Sequence, residues 1–152
     1  MPATRVSDIM SVPVACCAPE TTLEEVARLM LENDCGEIPI CNAKGRPIGV
    51  ITDRDIATRT VALGKNPVPM HVHDAMTSPI VTVSPETSLE ECCQMLERNR
   101  IRRLPVVDAS GRLCGMVSQA DIARHAPRTD AAAVVRKVSE PNLPAAPMST
   151  LI

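Results

Sequence analysis

GVITDRDIA (49–57) returns as GMVSQADIA (115–123), at an offset of 66 residues. Each phrase runs from apolar residues into a hydroxyl, with an aspartate three positions later. That order reads as a buried strand feeding a helix whose first turn the hydroxyl caps. The offset holds without insertion from 6–57 onto 72–123, pairing Asp8 with Asp74, Met10 with Met76, Pro13 with Pro79, Pro39 with Pro105, Gly45 with Gly111 and Gly49 with Gly115. PET-x-LEE blocks from Pro19 and Pro85 stay in register. Similarity that keeps one offset over about fifty positions marks an internal repeat.

Period and punctuation give the content of each half. A short apolar strand (14–17; 80–83) stops at a Pro-Glu-Thr turn, and Thr22 or Ser88 then caps a helix with acidic residues in its first turn. Leu23, Val26, Ala27, Met30 and Leu31 recur at helical spacing, as do Leu89, Cys92, Cys93 and Leu96. A strand (38–41; 104–107), a turn at Gly45 or Gly111, a second strand (47–51; 113–117) and a helix after Thr52 or Ser118 complete the unit. The fold class is α/β (α+β), with two β-α-β-β-α repeats. A unit of about fifty residues buries too little surface to stand alone, so the copies are expected to pack sheet against sheet as a pseudo-twofold pair. The expected divisions are 1–66, the first repeat with its N-terminal segment and the start of a polar linker; 67–126, the second repeat; and 127–152, an Ala/Pro-rich tail with a short helix over 130–140.

The 152 residues carry 45% hydrophobic and 22% charged side chains, which suits a folded globule. Phe, Tyr and Trp are absent and the net charge is −2, so nucleic acid is not an expected partner: there is no basic pull and no stacking platform. Neither a signal segment nor a membrane span is legible, and a cytoplasmic location is expected. Seven cysteines without a CxxC read as small core residues of a reducing compartment.

Together, the order β-α-β-β-α, the DIM and DAM openings (8–10; 74–76), the IP and LP strand starts and G-h-h-[T/S]-x-x-D in both halves resemble the paired cystathionine β-synthase (CBS) domains, or Bateman module, over about residues 4–125. The resemblance implies a non-catalytic regulatory module that senses adenosine-containing ligands, commonly assembled as a homodimer. It gives Asp55 and Asp121 the ribose hydroxyls, with Thr52 and Ser118 facing ribose or phosphate. By the family pattern, Asp121 and Ser118 share a cleft with Val14, Cys16, Gly36, Glu37, Ile38 and Pro39. Thr52 and Asp55 share the other with Ile80, Val81, Thr82, Arg102, Arg103, Leu104 and Pro105.

These clefts differ in charge. Arg54, Arg102 and Arg103 are expected beside Asp55 and suit phosphate oxygens, whereas Glu37 in the other cleft repels them by about 1 to 4 kcal/mol at contact. AMP, ADP or ATP is therefore expected in the Asp55 cleft. Aliphatic side chains must clasp the adenine, and their plain alternative is core packing.

Thr52 and Ser118 with their aspartates also read simply as helix caps. His71-x-His73-Asp74 is a lone HxH motif and reads more plainly as solvated linker than as a metal site, and no metal is expected. No Cys or Ser has a base placed near it, so no catalytic residue is assigned. The alternatives are a structural dimerisation module without ligand and, behind it, a binder of NAD, S-adenosylmethionine or metal. Any output is expected to pass to a separate effector protein or through assembly.

Overall fold

The computed structural model describes residues 4–12 and 15–125. Val14 and the expected tail helix lie outside them. The elements are α1 (Val6–Ile9), α2 (Leu23–Asn33), β1 (Glu37–Cys41), β2 (Pro47–Thr52), α3 (Asp53–Arg59), α4 (Leu89–Asn99), β3 (Arg103–Val107), β4 (Leu113–Ser118) and α5 (Gln119–His125), with single 3-10 turns at Val61–Leu63 and Val72–Asp74. β1 pairs antiparallel with β2, and β3 with β4, in equivalent registers: Glu37 faces Thr52 and Arg103 faces Ser118.

The caps form as the sequence requires. Thr22 Oγ1 accepts the Glu25 N–H and Ser88 Oγ accepts the Glu91 N–H, which satisfies otherwise orphan donors of α2 and α4. Each hairpin turns on a polar side chain: Asn42 Oδ1 accepts from the N–H groups of Lys44 and Arg46, and Asp108 Oδ1 from those of Ser110 and Arg112. Gly45 and Gly111 follow at φ of 77° and 81°, a region that disfavours a side chain. The two turns touch, because Leu113 N–H donates to the Gly45 carbonyl at 2.9 Å.

The expected leading strands shrink to single parallel bridges, Cys17 to Ile40 and Val83 to Val106. Pro19 and Pro85 turn the chain away immediately afterwards, leaving two hydrogen bonds in each bridge.

The lead-in segments carry the main surprise of the topology, since each docks on the opposite repeat. Ser11 exchanges both backbone hydrogen bonds with Met116, at 2.8 and 3.2 Å, and Thr77 exchanges both with Val50, at 2.8 and 3.0 Å. Val6 and Ile9 consequently lie in a core with Leu89, Cys92, Leu96, Leu104, Val117 and Ile122. Val72 and Ala75 lie in the other core, with Leu23, Val26, Ile38 and Ile51. Neither core is complete without residues from the other repeat, so the pair is held together by apolar burial as well as by the touching turns.

Candidate functional site

Both repeated phrases end in the same strand-to-helix junction. Thr52 Oγ1 accepts the Asp55 N–H at 3.0 Å, and Asp55 Oδ2 accepts the Thr52 N–H at 3.0 Å. In the second repeat, Ser118 Oγ accepts the Asp121 N–H at 3.1 Å, while Asp121 Oδ2 accepts both the Ser118 N–H at 2.8 Å and its hydroxyl at 2.9 Å. The capping role is thus real, and it consumes one carboxylate oxygen per aspartate. Asp55 Oδ1 lies 3.6 Å from Arg59 Nη2. Asp121 Oδ1 makes no hydrogen bond among the described residues. Asp121 is 8% exposed and Asp55 half-buried, so the first junction is the more open.

Next to the first junction, at Asp53 and Ile56, groups from both repeats meet, although Thr52 and Asp55 do not themselves line the cleft. A cleft of about 570 Å³ is lined by Met30, Leu31, Gly36, Asp53, Ile56 and, from the second repeat, Arg103. Burial pushes the Glu37 carboxyl up to about 7; Arg103 draws it down and Asp55 pushes it further up. Glu37 Oε2 is buried without a hydrogen-bond partner among the described residues, as is Gln119 Oε1. Arg54 and Arg102 are exposed, and neither they nor Arg103 forms an ion pair among the described residues.

The geometry revises several sequence expectations. Glu37, expected with Asp121, stands opposite Thr52 in its own hairpin and within electrostatic reach of both Asp55 and Arg103. Arg103 faces Ser118 in its own hairpin and also lines the first-repeat cleft, where it meets Gly36. Ile38 and Leu104 are wholly buried in the two cores, and Pro39 and Pro105 are buried as well. The Ile38 and Leu104 side chains pack within protein, which leaves their backbone for any ligand. Thr82 lines a different cleft, with Ser84, Glu91 and Arg98 on the second repeat. Ile80 and Val81 are half-buried, Val81 against the second core, and Cys16 is exposed.

Asp53 and Arg59 were not singled out from the sequence. Asp53 packs so tightly under Gly36 that a Cβ there would lie 2.9 Å from Asp53 Oδ2. Arg59 donates to the carbonyls of Ala75 and Met76 at 2.8 and 3.0 Å, tying α3 to the second lead-in segment. Its spacing four residues after Asp55 was the available signal.

No cysteine is in a disulfide. Burial pushes Cys17 up to about 11, and Cys41 and Cys92 up to about 12, so these thiols are poor nucleophiles. Among the described residues, no helix is long and apolar enough to cross a membrane.

A CBS domain family model matches twice, over residues 6–61 and 72–128. The chain belongs to the CBS domain family. Hypoxic response protein 1 of Mycobacterium tuberculosis is 35% identical over 138 residues, covering 91% of this chain and 96% of that protein. A crystal structure of Hypoxic Response Protein I with two coordinated zinc ions is 36% identical, with a TM-score of 0.74 over 82% of this chain and all of that one. The CBS domain pair of protein MJ0100, solved with 5-methylthioadenosine and S-adenosyl-L-methionine, is 28% identical, with a TM-score of 0.72 over 81% of this chain and 95% of that one. The chain spans 62% of the length of a further relative, an uncharacterized protein of Methanopyrus kandleri that is 36% identical over 122 residues. The CBS pair here is thus a two-repeat unit with its junction aspartates at matching positions.

Proposed function

We propose that this CBS domain pair is a non-catalytic sensor of an adenine nucleotide of the AMP, ADP or ATP type. The ligand lies between repeats 1–66 and 67–126, and its binding shifts the conformation or assembly of a homodimer that signals to a separate effector protein. The observation that carries this reading is the hydroxyl and carboxylate junction present in both repeats, each with one carboxylate oxygen beyond the capping bonds. Such an oxygen at a helix start can accept ribose hydroxyls by charge-assisted bonds. Arg103 lines the cleft beside the first junction and Arg54 is the chain neighbour of Asp55, and the partly neutralised Glu37 repels phosphate less than a full carboxylate would; Arg102 is assigned to the phosphate as part of this proposal. The adenosyl ligands of the MJ0100 pair support the ligand class.

Lacking Trp and Tyr, the purified chain is nearly dark near 280 nm, so absorbance at 260 nm reports retained nucleotide directly. In calorimetry with AMP and ATP, Asp55→Asn is expected to weaken binding by about 10- to 100-fold while keeping an acceptor for the Thr52 N–H. Arg102→Ala is expected to weaken ATP more than adenosine. Nucleotide affinity that is absent, or unmoved by Asp55→Asn and Asp121→Asn, would leave dimerisation without ligand as the function.

A further inference from the structure

The second lead-in segment differs from the first at two positions that its fold does not require. Arg5, Ser7 and Asp8 correspond to His71, His73 and Asp74. Asp8 Oδ2 accepts the Arg5 N–H at 2.8 Å, and Asp74 Oδ2 accepts the His71 N–H at 3.0 Å. Both segments also make the same backbone bonds to the opposite repeat: Val6 and Ser7 donate to Thr87 and Pro85, and Val72 and His73 donate to Thr21 and Pro19. The aspartate and the backbone therefore secure this turn, and two imidazoles are surplus to it.

Those imidazoles sit where a metal ion could use them. His71, His73 and Asp74 are all exposed, and one ligating atom from each lies within 4.8 Å of the other two, the only such group of three among the described residues. The rings stack with centroids 5.4 Å apart, and His73 Nδ1 is 3.2 Å from Asp74 Oδ1. A tetrahedral zinc ion, with bonds of about 2.0–2.1 Å, holds its ligand atoms roughly 3.3 Å apart. Closing to that spacing needs only side-chain rotation at the surface. The two oxygens of Asp74 divide the work, since Oδ2 holds the turn and Oδ1 faces His73.

We infer that His71, His73 and Asp74 form a zinc site with three protein ligands and an open fourth position on the solvent side. Two imidazoles and one carboxylate suit zinc, whereas calcium and magnesium take oxygen ligands. The site lies on the lead-in segment of the second repeat and is independent of the nucleotide reading.

The chain has three histidines, which makes the test selective. Zinc chloride titrated into the full-length protein is expected to bind in calorimetry, and to shift the imidazole proton resonances of His71 and His73 while His125 stays fixed. His71→Arg and His73→Ser install what the first segment carries, so the fold should persist, as the amide spectrum checks. Each is expected to weaken zinc binding by more than about tenfold. Asp74→Asn retains the turn acceptor and should weaken zinc as well. Three results would overturn the site: no zinc binding, binding that leaves both resonances in place because thiols such as the exposed Cys16 take the metal, or unchanged affinity in the two histidine variants.

Discussion

Gly49→Ala is expected to destabilise the folded chain by about 2 to 3 kcal/mol, and the equivalent Gly115→Ala by about 1 kcal/mol or less. The positions are identical in sequence phrase and strand register, so the difference isolates what each meets. A Cβ on Gly49 would lie 2.8 Å from the Thr77 carbonyl oxygen, a backbone atom already fixed by its paired hydrogen bonds to Val50. Relief requires the second lead-in segment to move off the hairpin, and Val72 and Ala75 would be drawn from their core with it. A Cβ on Gly115 would meet Met10 Sδ at 2.7 Å, the far part of a flexible side chain, with the nearest backbone atom, Ser11 O, at 3.3 Å. A thioether can change rotamer where a carbonyl cannot. Alanine also restricts the unfolded chain, which offsets about 0.4 to 1 kcal/mol in both variants. Urea unfolding of the two variants beside the parent reads the difference directly. Equal losses, or a greater loss at Gly115, would contradict the docking of lead-in segments described above.

The same residues show how far the sequence could be read. The constant offset made the doubled hairpins legible because strand pairing and capping are local: Thr52 and Asp55 are three residues apart, and Asn42 acts on a turn four residues long. The aspartates, hydroxyls and helix starts followed for that reason. The exchange of lead-in segments was hidden, since Ser11 and Met116 are far apart in the chain and either repeat could have been covered by its own segment or its neighbour's. DIM and DAM advertised a repeated spacing without saying which glycine they would cover. The surroundings of Glu37 were hidden for a related reason. A family pattern of shared clefts located it by analogy, whereas the antiparallel register puts it opposite Thr52. Aliphatic residues such as Ile38 looked equally suited to a cleft or a core, and only the packing of α2 and the second lead-in segment decided for the core.

Replacing the Glu37 carboxylate gives the second large effect. Glu37→Gln is expected to leave stability nearly unchanged at about pH 4.5 and to raise it by about 2 to 3 kcal/mol at about pH 8, relative to the parent. The ordinary carboxyl value of 4.5 is pushed up to about 7 by burial first, with Arg103 opposing and Asp55 adding to the rise. The folded chain then binds a proton over a window in which the unfolded chain has released it. Stability therefore falls as pH rises from 4.5 towards 7, and it levels off above that, once both states are ionised. Glutamine keeps the shape and cannot ionise, so this part of the slope should vanish. Other groups titrate in both proteins and cancel in the difference. The Arg103 side chain bears on the size of the effect, because its attraction is already included in the shift, and the penalty that remains is that of a buried oxygen, Oε2, without a hydrogen-bond partner among the described residues. Urea midpoints measured across this pH range decide the matter. A parent and variant that stay parallel would mean that Glu37 is solvated and ionised throughout.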